Sequence, residues 1–264
     1  MNLELTNLHV LITGGSKGIG LACARGFIAE GARVTLVSRT LETLQSAQRE
    51  LQSGTPSATV NIIAADLRDA AEAERMVDAV ERDFGAVDVL VNSAGAAKRT
   101  PAAELTTDAW HDAMQAKFFT YIHVINPLIK KMGARGRGAV VNVIGAGGKV
   151  AAVTHLAGGS ANAALMLASS GLAAAYAGKG VRVNAVNPGL TLTERLQEGM
   201  QAEARQQGIS MEEALARAKA TRPLGRIAEP SEIADAVVYL ASNRASYITG
   251  AVVAMDGAVT PMVV

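Results

Sequence analysis

Near the amino terminus, the apolar run HVLIT ends in Thr13-Gly14-Gly15-Ser16-Lys17-Gly18-Ile19-Gly20 and passes directly into a helix-like stretch, LACARGFIAEG. Glycines at such a turn let the backbone approach a ligand closely. A helix amino terminus adds unpaired N–H groups and the positive end of a dipole, so the chemistry on offer is pyrophosphate binding. The residues that carry this reading are Gly14, Ser16, Lys17, Gly18, Ile19 and Gly20. The next apolar run, RVTLVS, ends at Ser38, followed by Arg39. A carboxylate at that point would accept from the ribose hydroxyls of an unphosphorylated dinucleotide. Serine and arginine suit a 2′-phosphate instead, because a guanidinium pairs with it through two parallel hydrogen bonds. With Lys17 as a second cation nearby, the sequence predicts NADP(H) in preference to NAD(H).

Positioning these groups requires a particular scaffold. Seven short runs rich in β-branched residues, HVLIT, RVTLVS, TVNIIAAD, VDVLVNSAG, AVVNVIG, VRVNAVNPG and AVVAMDG, alternate with longer amphipathic or Ala-rich segments. Continuously apolar strands separated by helices imply a parallel sheet covered on both faces, because each right-handed crossover lays a helix over it. The expected fold is therefore α/β, a doubly wound Rossmann-type sheet in one domain spanning residues 1–264. The rhythm is broken between Pro188 and Pro223, where LQEGMQAEARQQGISMEEALARAKA reads as one or two surface helices. Just past the carboxyl end of a strand, at about residues 190–222, this segment is placed to act as a substrate lid.

Composition narrows the partners. A formal charge of +1, with no Lys/Arg runs carrying interleaved aromatics, argues against nucleic acid. Hydrophobic residues make up 49%, yet no long run lacks a charge or turn, so no membrane span is expected. The start MNLELTNLHVLITGG shows no targeting pattern, which makes a cytoplasmic location the expectation. Cys23 is the only cysteine and reads as a small apolar residue on a buried helix. His9, His111, His123 and His155 lack ligand spacing, so no metal is expected.

Taken in order, TGGSKGIG, Asp66-Leu67, Asn92-Ser93-Ala94-Gly95, VRVNAVNPG, PLGRIAEPSEIADAVVYLAS and SYITGAVVAMDG resemble the short-chain dehydrogenase/reductase family over nearly the whole chain. The resemblance implies that Asp66 and Leu67 flank the adenine. It also implies that Asn92, Ala94 and Gly95 line the cofactor, and that Pro188, Gly189, Thr191 and Thr193 meet its nicotinamide end. Ser93 stands where a second Asn is common. Relatives commonly assemble as homotetramers or dimers, and the apolar ending MDGAVTPMVV suits burial against another subunit.

Family members that reduce carbonyls or oxidise alcohols use an Asn-Ser-Tyr-Lys tetrad: the Tyr passes the proton, the Lys lowers its pKa, the Ser orients the oxygen and the Asn supports a relay. Counting seven residues from Trp110 places Lys117 at the Asn position. Gly145 stands at the Ser position, and Gly158 and Asn162 at those of the Tyr and Lys. The tyrosines are Tyr121, Tyr176, Tyr239 and Tyr247, so no shift of alignment restores the acid. Losing a positioned acid typically forfeits a factor of ~10² to 10⁴.

Three residues are candidate substitutes: Lys117, whose buried ammonium could donate a proton; Tyr121, four residues on along the same helix; and His155, just before the vacated Tyr position. Against these stand a Lys117 whose ammonium merely reaches water, a Tyr121 that packs at a subunit interface and a His155 that is a polar loop residue. Two functional readings follow. One is an NADP(H)-dependent oxidoreductase with an altered site, acting on a small carbonyl or alcohol compound, larger than usual because the glycines leave space, or running another reaction on the same scaffold. The other is a catalytically inactive relative that senses NADP(H) or partners with an active one.

Overall fold

The computed structural model describes residues 2–95 and 98–262. Seven strands, β1 (His9–Thr13), β2 (Arg33–Ser38), β3 (Val60–Ala64), β4 (Val89–Asn92), β5 (Gly138–Val143), β6 (Val181–Pro188) and β7 (Val252–Met255), form one sheet in the order β3-β2-β1-β4-β5-β6-β7. Every pairing is parallel. The expected doubly wound sheet is thus present.

Alternation along each strand divides the core. On β1, Val10 and Ile12 join a cluster with α1 (Gly18–Ala29), α2 (Leu41–Gly54) and α9 (Pro230–Ala241). Leu11, between them, joins the opposite cluster with α3 (Ala70–Phe84), α5 (Thr120–Arg135) and α6 (Leu156–Tyr176). Burial on both faces is why these strands read as unbroken apolar runs. Cys23 lies wholly buried in the first cluster, where desolvation pushes its thiol up to about 12.

The excursion after β6 resolves into two helices, α7 (Glu194–Gln207) and α8 (Met211–Ala220). They share a small apolar cluster of Met200, Ala204 and Ala214. Thr193 caps α7 by accepting from Leu196 N, and Ser210 caps α8 by accepting from Glu213 N. Among the described residues, no helix is long and apolar enough to cross a membrane.

The helix carrying Lys117 is interrupted. α4 (Thr107–Ala113) passes into a π-helical turn, Met114–Phe119, before α5 begins. The wider turn displaces carbonyls from the normal ladder, and the Thr120 hydroxyl donates to two of them, Ala116 O and Lys117 O at 3.3 and 2.9 Å. Gly95, at φ 87, lets this turn sit against the loop after β4, since a Cβ there would overlap Ala116 O.

Candidate active site

The carboxyl ends of β1, β2, β3, β4 and β6 bring the predicted cofactor residues to one rim. At its centre, the first backbone bond of α1 runs from Leu21 N to Lys17 O, and no side chain caps the helix. The N–H groups of Gly18, Ile19 and Gly20 therefore point out of the turn. Gly14, at φ 66, passes so close to the next loop that a Cβ would lie 2.8 Å from Ser93 O and Ala94 N. A Cβ on Gly20 would overlap the Gly14 carbonyl. The turn is a cradle that side chains would fill, which fits a dinucleotide pyrophosphate.

At the β2 end Arg39 is exposed, and its charge helps hold Asp66 below the usual carboxylate range. Burial opposes that shift, and the backbone and guanidinium hydrogen bonds from Arg68 contribute more to it than Arg39 does. Ser38 turns its hydroxyl to Thr40 O. Lys17 reaches across to Glu194 at 3.4 Å, linking the turn to the first residue of α7. Beside it, Thr193 Cγ2 lies 3.3 Å from where a Gly18 Cβ would stand. Thr191 pairs in a short bridge with Ala228.

Two predicted residues contribute by position rather than by their side chains. Leu67 is buried in the core and gives its carbonyl to His123 Nδ1 at 3.0 Å, so it offers the rim backbone. Asn92 is fully buried, and its Oδ1 accepts from Thr13 at 3.2 Å. Its Nδ2 donates to Asn142 Oδ1 at 3.0 Å, and Asn142 donates to Ser169 Oγ at 2.9 Å. This buried polar chain ties β1, β4, β5 and α6 together beneath the cleft. Its members are in register because Thr13 pairs with Asn92 and Asn92 with Asn142 across the sheet.

Lys117 enters this cleft from the π turn. Its Nζ donates to Tyr121 Oη at 2.8 Å and to Val143 O at 3.1 Å, and lies 4.4 Å from the Tyr121 ring centroid. Burial of the ammonium, assisted by the charge of Arg195 from α7, brings its pKa down to about 7. The residue is half-buried, so the side chain retains an open edge while its charged end is desolvated. Tyr121 is buried in the chain's own core, not displayed for a neighbouring subunit. Its hydroxyl donates to Val143 O at 2.6 Å, and burial raises its pKa well above the ordinary phenol value, the Arg195 charge opposing.

His155 stands at the amino end of α6 with Nδ1 buried and, among the described residues, unpartnered; burial, then the charges of Arg99 and Lys117, lower its pKa. Asn162 is buried with Oδ1 unpartnered among the described residues. The room expected at Gly145 is partly taken, and the neighbouring Gly147 is as closely packed. A Cβ at Gly145 would meet Asn162 Nδ2 at 3.2 Å, and one at Gly147 would meet His155 Cδ2 at 3.1 Å. At Gly145 and Gly147 glycine lets the β5 end and α6 approach each other.

Sequence reasoning missed Arg195, Arg99, the Val143 carbonyl and the π turn. None has a local signature, since each matters through a contact with a distant segment.

Residues 14–260 match a family model described as enoyl-(acyl carrier protein) reductase. The chain is 34% identical over 259 residues to D-threitol dehydrogenase of Mycolicibacterium smegmatis, covering 98% of this chain and 95% of that protein. Among solved structures, L-sorbose reductase from Gluconobacter frateurii, complexed with NADPH and L-sorbose, superposes with a TM-score of 0.94 at 30% identity, covering all of both chains. An NADPH-bound short chain oxidoreductase from Pseudomonas aeruginosa PAO1, described as containing an atypical catalytic center, gives 0.88 at 31%, covering 98% of this chain and 100% of that one.

Proposed function

Because the chain belongs to the short-chain dehydrogenase/reductase family, we propose that it is an NADP(H)-dependent oxidoreductase that interconverts a carbonyl and an alcohol, with Lys117 handling the proton. The observation that carries this reading is the desolvated Lys117 ammonium, held by Tyr121 and Val143 beside an intact glycine cradle.

The Gly14–Gly20 turn receives the pyrophosphate, Arg39 and Lys17 the 2′-phosphate, Asp66 and Leu67 the adenine, and the Asn92–Gly95 and Pro188–Thr193 segments the nicotinamide end. The bound nicotinamide supplies the hydride in reduction and accepts it in oxidation. Lys117 gives its proton to the substrate oxygen as the alcohol forms, and is left as a neutral amine that a pKa of about 7 makes accessible. Tyr121 is a positioning residue: its own proton is committed to Val143 O, and its oxygen accepts from Lys117.

The relatives support the class. D-threitol and L-sorbose are small hydroxylated compounds, and the atypical neighbour binds NADPH. Exposed Leu167 on α6, with Val259 and Met262 near the carboxyl end, supports a homo-oligomer built on those elements; Val263 and Val264 of that ending lie outside the described residues.

The test is NADPH oxidation with a panel of small hydroxyketones, comparing the wild type with Lys117→Met. Reduction should fall by ~10² or more in the variant. In the wild type kcat/KM for reduction should decline as pH rises through about 7 while oxidation gains. Tight NADPH binding with no turnover of any substrate would favour the cofactor-sensing reading instead.

A further inference from the structure

We propose that His155 and Asn162 set the specificity of this cleft, their buried Nδ1 and Oδ1 accepting hydrogen bonds from the hydroxyl groups of a polyhydroxylated ketone or alcohol. The inference rests on the oxidoreductase reading and names its substrate class.

Among the described residues, three buried side-chain polar atoms lack a hydrogen-bond partner: His155 Nδ1, Asn162 Oδ1 and Asn187 Oδ1. Buried polar atoms are paired in the great majority of cases, because an unpaired one has lost its hydration with nothing in return. All three belong to one corner, where α6 meets the ends of β5 and β6 around the turn Ala146–Gly148. Asn162 Nδ2 lies 3.2 Å from where a Gly145 Cβ would stand and 4.0 Å from where a Gly147 Cβ would. The His155 ring meets the same Gly147 point, with Cδ2 at 3.1 Å and Nε2 at 3.8 Å, so imidazole and amide flank one glycine. Asn187 joins them through Met166, one helical turn after Asn162. Its Nδ2 donates to Met166 Sδ at 3.1 Å, and a Cβ at Gly148 would overlap Met166 Cε.

Lys117 borders the same corner. Its Nζ donates to Val143 O, two residues before Gly145, and the π turn that carries it packs against α6. Asn162 is only 4% exposed, and its amide oxygen is an acceptor alone. Burial, then the charges of Arg99 and Lys117, hold His155 below its ordinary value of 6.5, so the ring is neutral at pH 7. With the proton on Nε2, its Nδ1 accepts as well. A hydroxyketone complements this set: the carbonyl oxygen accepts from Lys117 while neighbouring hydroxyls donate to Asn162 and His155. A carboxylate would set lone pairs against lone pairs. A plain ketone would leave both acceptors unmet, and on that ground such a site rejects an analogue lacking the hydroxyls.

The experiment follows NADPH oxidation with butanone and its monohydroxy and trihydroxy derivatives in wild type, Asn162→Leu, His155→Phe and the double variant. Turnover is one readout; calorimetric binding of the corresponding four-carbon polyol to NADP-loaded protein is a second that needs no chemistry. We expect kcat/KM in the wild type to rise roughly tenfold for each hydroxyl that meets an acceptor. In the double variant the preference for the trihydroxy compound should shrink to within about threefold, while NADPH affinity stays within about twofold. Equal handling of butanone and its trihydroxy derivative by the wild type, a result that needs no variant, would overturn the proposal. So would variants that keep the preference, or that lose NADPH instead of the polyol. If nothing turns over yet the polyol binds and the double variant releases it, the hydroxyl site stands and the catalytic reading falls; if neither turnover nor polyol binding is seen, both fall.

Discussion

Replacing Lys117 with methionine removes an ammonium while keeping an unbranched chain of similar reach. The free energy separating the ordinary lysine value of 10.5 from about 7 is roughly 5 kcal/mol, at 1.36 kcal/mol per pH decade. Because the side chain is half-buried and retains two hydrogen-bond acceptors, about half of this, roughly 2–3 kcal/mol, is the expected effect. The folded protein releases the lysine proton near pH 7, whereas the unfolded chain keeps it to about 10.5. Unfolded protein thus binds more protons within that window, and stability rises with pH across it. Below pH 7 the penalty is fully present; above 10.5 it is gone. Lys117→Met should therefore be more stable than the wild type by roughly 2–3 kcal/mol at pH 6.5, with the two converging towards pH 10. The Tyr121 to Val143 bond survives the change, so no buried carbonyl is orphaned. Urea unfolding at pH 6.5, 8 and 9.5, with unchanged slope against denaturant, measures this. Parallel stability curves for the two proteins, or a variant weaker at pH 6.5, would refute the desolvated ammonium and with it the proton donor.

Arg39→Ala should weaken NADPH roughly tenfold or more and leave NADH almost untouched, as fluorescence titration would show; equal losses for both would remove the 2′-phosphate role. Gly20→Ala forces a methyl against the Gly14 carbonyl, costing about 1–3 kcal/mol in unfolding free energy and most of the cofactor affinity. Asn142→Ala leaves the Asn92 Nδ2 donor unpaired in the core, while Ser169 still donates to Leu165 O, and should cost about 1–3 kcal/mol by denaturant titration; a loss below about 0.5 kcal/mol would mean that the polar chain is not a support.

Much of the rim was legible because its signals are local. The glycine turn, the Ser38-Arg39 pair and the strand ends each lie within a few residues of one another, and parallel pairing carries them to one edge. The segment after β6, expected as one or two surface helices, forms two, with Gly208 and Ser210 between them. Other expectations failed through contacts. Tyr121 lies in the core because its hydroxyl meets Val143 O on β5, 22 residues on in sequence. The space expected at Gly145 is narrowed because Asn162 comes from another element to lie against it.

The sequence by itself determined a parallel doubly wound sheet and a glycine-rich turn at the end of its first strand. These follow from the period of apolar residues and from backbone freedoms that neighbours in the chain fix. Only tertiary structure decided the chemistry of the cleft. Lys117 meets Val143 across 26 residues of chain, and Arg195 acts on it from a separate helix. An ammonium's acidity depends on how far burial strips its water and which charges face it, and folding alone brings those together.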